Sequence, residues 1–387
     1  MGELDLSGDG WSLRLARPGD NAALCDLFAS VHLKSALDLT QERAPDFFAL
    51  PRMHQGSFDT AVGVATAGRD RPAGTLVGCG TVVARDGWWR DRVVRTGYLC
   101  DLRVAPGFRG GLHLARAYGR FMDWIRAERG AELFTTVIFD ANRQAIAALT
   151  ARSDKRKDQP VYRPMTPFQM TSVQFTTRKP TPSGRVARAG ADDRDVLVAF
   201  LARRSRSRLL GEVLTPERFA ERLALWPGFS LEDFFVARAA RGRGGHITGC
   251  LAPWDTSPFK RTRVLGYHGQ MAWVRRAFNL AARVRRFPPL PSPGACFDFV
   301  FLTHLEVEDD DPLVLRDLLL AAYAHLRPRG LHFMSAFVPR GSPLEVAFKG
   351  FTVNRTAMTL YAVHPPDSPW AGVDVATLHP GFEMALS

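Results

Sequence analysis

The sequence has no run of the ~18 uncharged apolar residues that a membrane-spanning helix needs. Met1 to Gly10 is acidic and polar rather than a basic segment followed by an apolar one, so the expectation is a protein made and kept in the cytoplasm. Cysteine is scarce. Cys25, Cys79, Cys100, Cys250 and Cys296 are widely spaced, odd in number and form no C-x-x-C pair, which argues against a disulfide framework or a zinc site and for small buried apolar residues. No Ser-His-Asp or Cys-His order can be argued, so nothing points to a covalent nucleophile. Lysine is scarce as well: the formal charge of +12 comes from 51 basic against 39 acidic residues, and nearly all the basic ones are arginine. That surplus favours anionic partners, whether a phosphate-bearing ligand, nucleic acid or acidic lipid. Apolar residues are abundant, 46% of 387, enough for two domains with a core each.

The most informative stretch runs from Tyr98 to Gly130. Leu99, Leu102 and Val104 belong to a short apolar run of strand length, and Pro106-Gly107 closes it. Arg109-Gly110-Gly111 then opens a helical segment that ends at Arg129-Gly130. A strand, glycine loop and helix in that order leave unpaired backbone N–H groups at the positive end of a helix dipole. That is a seat for a phosphate or pyrophosphate.

This arrangement resembles the acyl-CoA signature of the GNAT superfamily of N-acyltransferases, with Val104, Pro106, Phe108, Arg109 and Gly110 in register. The two later glycines of the family pattern fall on Leu112 and Leu114, or on Gly111 and His113 with a one-residue deletion, so at least one glycine is missing. The resemblance implies that acetyl-CoA or another acyl-CoA is held by the backbone of Leu102, Arg103 and Val104 and by the loop Phe108, Arg109, Gly110, Gly111, Leu112, His113 and Leu114. Asp101 matches a position that is often acidic in the family, and its implied role is to take the proton of an attacking amine. Asn142, Ala145 and Leu149 match an Asn-x-x-Ala-x-x-x-Tyr helix that packs under the CoA arm, but Leu149 or Thr150 stands where the family often has its thiolate-protonating tyrosine. Tyr118 and Tyr162 are the nearest tyrosines in sequence.

The remaining pattern reads as an α/β (α+β) chain of two tandem GNAT-like domains, each a mixed, mainly antiparallel sheet flanked by helices. The expected division is 1–178 for an acyl-CoA-binding domain, 179–185 for a linker built on Lys179-Pro-Thr-Pro-Ser-Gly184, and 186–387 for a degenerate second copy. Asn21 to Val31 is expected to be a helix capped by Asp20, and Leu33 to Leu50 one or two short helices. In the second copy Phe297 to Val307 is the expected central strand. It runs into a carboxylate cluster, Glu306 to Asp311, where a pyrophosphate would have to sit. That cluster reads as a helix cap ahead of Pro312, or as a divalent cation site.

Gly269 to Gly294 is an insertion in the second copy. Met271, Val274, Phe278, Ala281, Ala282 and Phe287 share one side of a helix, and Arg275, Arg276, Arg283, Arg285 and Arg286 lie largely elsewhere. A packed helix and a contact with an anionic membrane surface through Gly269 to Pro291 both fit that pattern.

The leading reading is transfer of an acyl group, taken as acetyl, from CoA to an amine borne by a small molecule, protein or lipid. Long-chain transfer to a sphingoid-type lipid amine, aminoacyl-tRNA-dependent peptidyl transfer as in the Fem-type enzymes, and a non-catalytic binding protein remain open. The Arg109-Gly110 loop argues for CoA rather than nucleic acid.

Overall fold

The computed structural model describes residues 6–8, 11–30, 36–66, 72–105, 108, 111–151, 159–239 and 245–387, and the side chains of 6–8 and 111–114 fall outside that description. In chain order the first part carries β1 (Leu6–Gly8), β2 (Trp11–Leu15), α1 (Asn21–Ser30), β3 (Leu37–Glu42), α2 (Ala49–Met53), β4 (Ser57–Ala65), β5 (Leu76–Trp89), β6 (Arg92–Val104), α3 (Gly111–Arg129), β7 (Leu133–Phe139), α4 (Arg143–Thr150) and β8 (Val161–Gln174). Residues 175–185 carry no helix or strand. The second part carries β9 (Val186–Arg188), α5 (Arg194–Arg206), β10 (Gly211–Glu212), α6 (Pro216–Leu225), β11 (Phe235–Arg238), β12 (Ile247–Trp254), β13 (Arg261–Tyr267), α7 (Gln270–Arg285), β14 (Phe299–Val307), α8 (Pro312–Leu326), β15 (Phe333–Pro339) and β16 (Thr352–His364).

Among the described residues, one 14-stranded sheet runs β1-β2-β4-β5-β6-β7-β16-β8-β15-β14-β12-β11-β9, with β10 paired to β5 off that path. Its neighbours are antiparallel except β6 with β7 and β14 with β15. The two parts exchange their last strands. β16 lies against β7, from Met358 opposite Phe139 to Val363 opposite Phe134, while β8 lies against β15. The sheet therefore continues across the sequence division at 179–185.

Helices cover both faces because the central strands carry near-continuous apolar runs whose successive side chains point to opposite sides. On one face, Phe121 and Ile125 of α3 pack on Leu99, Val82 and Phe134. On the other, Leu24 and Phe28 of α1 pack on Val62, Val77 and Cys79. α8 starts where its sequence says it should: Asp311 Oδ1 accepts the Leu313 N–H at 2.8 Å, Pro312 takes the first helical position, and Leu315, Leu318 and Leu319 are buried.

Two local expectations are corrected. Residues 37–42 form β3 rather than helix, pairing antiparallel with β13 from Leu37 opposite Tyr267 to Glu42 opposite Arg261. Its alternation puts Leu37, Leu39 and Gln41 along one cavity wall, and Glu42 is clamped by Arg263 and Arg261, contacts that exist only once the distant strand is in place. Asp20 does not cap α1. It closes the preceding 3₁₀ turn, Pro18–Asp20, by accepting the Arg17 N–H at 2.6 Å and two bonds from Arg14.

Candidate active site

Strands β6 and β7 pair for only three residues, Thr96 to Tyr98 with Leu133 to Thr135, and then part, although β6 runs on to Val104 and β7 to Phe139. Gly97 lets the strands meet closely at the root, since a Cβ there would lie 2.5 Å from the Phe134 ring. Just beyond, the β5–β6 register shifts between Cys79 and Thr81, opposite Asp101, whose φ is +55°. A bulge of this kind bends its strand away from its neighbour. Thr136 Oγ1 donates to Leu99 O at 2.8 Å across the opening, and β6 from Leu99 onward has no ladder partner on β7.

The cleft opens into a cavity of about 1540 Å³. Asp101, Leu102, Arg103, Val104, Phe108 and Asn142 all line it. Asn142 also fixes its own rim by accepting the Ala145 N–H at 3.1 Å as the cap of α4. Arg109 and Gly110, with Pro106, lie outside the described residues. Gly111 to Leu114 form the first turn of α3, with their side chains undescribed.

Asp101 sits on the α1 side of the sheet as half of a buried ion pair, its Oδ1 accepting from Arg43 Nη2 at 2.8 Å with side-chain exposures of 1% and 2%. Burial works to raise its pKa, but the Arg43 charge and hydrogen bond, with Arg103 and Lys260, outweigh it and hold the carboxyl below the usual carboxylate range. Lys260, one of the few lysines, is 2% exposed and lies at the same wall, its ammonium 4.7 Å from the centre of the Phe301 ring. Burial and then the Arg43 charge bring its pKa down to about 7. Lys260 Nζ donates to the main-chain oxygens of Ala385 and Ser387, which anchors residues 384–387 along the cavity. Burial and the Asp101 carboxylate push the Cys100 thiol up, so Cys100 stays protonated beside its neighbour.

On the opposite face, Tyr118 of α3 and Tyr162 of β8 share a hydrogen bond of 2.7 Å and line the cavity beside Asn142, Ala145 and Leu149. Burial raises both phenols, Tyr118 with help from Tyr162, so each is held as a proton donor. Two hydroxyls sharing one bond leave one O–H to serve another acceptor. These tyrosines were visible in the sequence only as the nearest available. Arg43 and Lys260 gave no sequence signal beyond being, respectively, one arginine among many and a lysine in an arginine-rich chain.

The second part repeats the geometry with different chemistry. β14 and β15 also pair for three residues and part, and β14 also bulges, at His304 with φ +49° opposite the shift between Cys250 and Ala252. Tyr98-Leu-Cys-Asp101-Leu-Arg-Val104 aligns with Phe301-Leu-Thr-His304-Leu-Glu-Val307, a repeat that links the two bulges. Here the space around the bulge is occupied: His304 Nε2 meets Arg222 at 3.0 Å, the His304 main-chain N–H donates to Glu383, and Phe229 stacks on the imidazole. Most of the carboxylate cluster is tied off. Glu306 binds Arg204 and Arg208, Glu308 binds Arg203, and Asp311 caps α8. Among the described residues no group of three or more ligating side chains is placed to hold a metal ion.

α7 fits the packed-helix reading of its apolar side: Met271, Val274 and Phe278 line the cavity, Val274 while also 49% exposed, and Arg275 is used internally, stacking on Tyr267 and donating to Pro291 O. A further set, Trp273, Leu280 and Val284, is exposed, at 69%, 65% and 77%. No helix among the described residues is long and apolar enough to cross a membrane.

No protein-family model matches the chain, and no curated protein matches its sequence. Solved structures do match its fold. Saccharomyces cerevisiae N-myristoyltransferase with bound myristoyl-CoA superimposes with a TM-score of 0.58 at 10% identity, covering 92% of this chain and 83% of that one. A GCN5-related N-acetyltransferase from Sphaerobacter thermophilus gives 0.55 at 14%, covering 98% and 99%. The GCN5-related glucosamine N-acetyltransferase region of a fungal multi-domain β-N-acetylglucosaminidase gives 0.56 at 13%, covering 92% and 38%. At such identities the likeness is one of fold.

Proposed function

From the GNAT-superfamily fold that this chain shares with those enzymes, we infer that it is an acyl-CoA-dependent N-acyltransferase whose acyl-CoA lies in the β6–β7 cleft. The observation that carries this reading is the splayed, bulged strand leading from Asp101 through Leu102, Arg103 and Val104 towards the start of α3, with Asn142 across the opening. The expected seat of the pyrophosphate is the loop of Phe108, Arg109, Gly110 and Gly111 with the first turn of α3, Leu112, His113 and Leu114.

In the proposed reaction the amine nitrogen attacks the thioester carbon, a C–N bond forms as the C–S bond breaks, and CoA leaves as its thiolate. Asp101, whose Oδ2 has no hydrogen-bond partner, receives the amine and takes its proton directly or through water. The Tyr118–Tyr162 pair donates a proton or hydrogen bond to the thiolate from the other face, in place of the tyrosine missing at Leu149.

The cavity exceeds the ~300–1,000 Å³ usual for small-molecule sites, and its walls include Phe299, Phe301, Phe333 and Phe278. That size and lining favour an amphiphilic acceptor or a long acyl chain over a pair of small polar substrates. An anionic membrane is the proposed source, approached by the exposed side of α7, where Arg276 stacks on Trp273 at 4.9 Å.

The test is transfer itself, followed by thiol release together with mass of the amide, using acetyl-CoA and myristoyl-CoA with amines of graded chain length. Asp101→Asn is expected to lower kcat/KM by about 100-fold, the low end of general-base effects because Arg43 reduces the basicity of the carboxylate. Replacing both Tyr118 and Tyr162 by Phe should leave CoA affinity in place and slow turnover. Thiol release with no amide formed would remove the acceptor from the reading.

A further inference from the structure

The charges on the α1 side of the cavity do not balance. Arg43, only 1% exposed, uses one nitrogen on Asp101, while its Nε and Nη1 are buried with no hydrogen-bond partner. Arg103 donates Nη1 to Leu102 O, and its Nε is likewise buried without a partner. Both guanidinium groups pack on the same ring, that of Phe28, at 4.7 and 4.1 Å. Lys260 adds a third cation to the same cavity wall.

Among the described side chains one ionised carboxylate, Asp101, faces these cations, and Lys260 is in addition held by Ala385 O and Ser387 O. Glu383 also acts on Lys260, but it is spent on the Ala385 and His304 N–H groups, and burial raises its pKa. A buried guanidinium N–H without an acceptor is costly, and so are like charges held together away from water. Three cations converge on one space, and the single carboxylate also has an oxygen to spare, Asp101 Oδ2.

We propose that Arg43, Arg103 and Lys260 form a binding site for a carboxylate that the acceptor carries next to its amine, so that the acceptor is an amino acid with a long apolar side chain. The carboxylate takes the unpartnered Arg43 and Arg103 nitrogens, the amine takes Asp101 Oδ2, and the apolar remainder extends along the phenylalanine-lined wall. The phosphates of CoA cannot serve as this anion in the proposed arrangement, because they belong at the start of α3, whose helix covers the other face of the sheet. The inference rests on the acyl-transfer reading only in calling the bound molecule the acceptor.

The experiment is calorimetry on the full chain at mildly acidic pH with three probes: α-aminododecanoate, its methyl ester, and undecylamine, which keeps the amine and chain without the carboxylate. The free acid is expected to bind about 10- to 100-fold more tightly than the other two, the range for hydrogen bonds to charged groups. Arg43→Gln should erase that preference, and Lys260→Met and Arg103→Gln should each reduce it. Should Arg43→Gln fail to fold, the other two substitutions decide the matter. Equal affinities for the three probes, no binding of the free acid, or a preference unchanged in the folded variants overturns the proposal. A CoA titration on the same samples separates the two readings: carboxylate preference without CoA binding keeps the anion site and discards acyl transfer, and CoA binding without the preference does the reverse.

Discussion

Asp101 and Arg43 lose their water together, and each is the reason the other can remain charged. Removing one partner strands the other, which for a buried pair costs about 3–5 kcal/mol. Asp101→Asn and Arg43→Gln should each lower stability on that scale, and the double substitution should cost well under their sum. Urea titrations of the three variants check this, and a double variant that merely adds the two losses would show that the pair is not coupled. Lys260 gives a different signal. Facing Arg43 from the segment between β3 and α2, Asp101 and Cys100 from β6, and Glu383 from the C-terminal segment, it titrates in the folded protein near pH 7 against 10.5 when free. Between those values the unfolded chain holds the proton and the folded one does not, so this group makes stability rise with pH. Below pH 7 it is protonated in both states and contributes no slope. The stability of the native protein relative to Lys260→Met should therefore improve as pH climbs from 7 toward 10.5. A constant difference across that range would mean that Lys260 keeps an ordinary pKa.

At the scale of elements, legibility followed where the stabilising contacts lie. α8 could be read from Asp311, Pro312 and a run of leucines because its cap and its buried stripe are both local. β7 could be read because Leu133 to Phe139 is an apolar run of strand length, although its partners in β6 and β16 are distant. β3 could not, because Leu37 to Glu42 becomes a strand only by pairing with β13, more than two hundred residues away. The strand and the helix that flank the cleft were legible, whereas the Asp101–Arg43 pair joins residues 58 apart and had no local mark. α7 was legible as an amphipathic helix whose Met271 and Phe278 pack inward, but the exposure of Trp273, Leu280 and Val284 was not legible. The membrane reading consequently moves to Trp273, Leu280 and Val284 with the outer arginines. Each basic residue near an anionic surface adds about 1 kcal/mol, so binding should be reversible and sensitive to salt. Flotation with phosphatidylserine-containing vesicles should carry the protein upward at low salt, and Trp273→Ser with Arg276→Gln and Arg283→Gln should release it. Protein that stays at the bottom at low salt contradicts the membrane approach.

On the scale of the whole molecule, the exchange of β8 and β16 builds both clefts into one sheet, so neither part completes its sheet without a strand from the other. The two clefts share a three-residue parallel root and a bulge at matching positions, yet one opens into the large cavity and the other is filled by His304, Arg222 and Phe229. The asymmetry supports the proposal that acyl-CoA occupies the first cleft alone. Calorimetric titration of the native protein with acetyl-CoA tests that assignment most directly. One site per chain is expected, and Arg109→Glu should weaken it by about 10-fold or more by placing a carboxylate against the pyrophosphate. Two equivalent sites per chain, or an affinity indifferent to Arg109→Glu, would contradict the account.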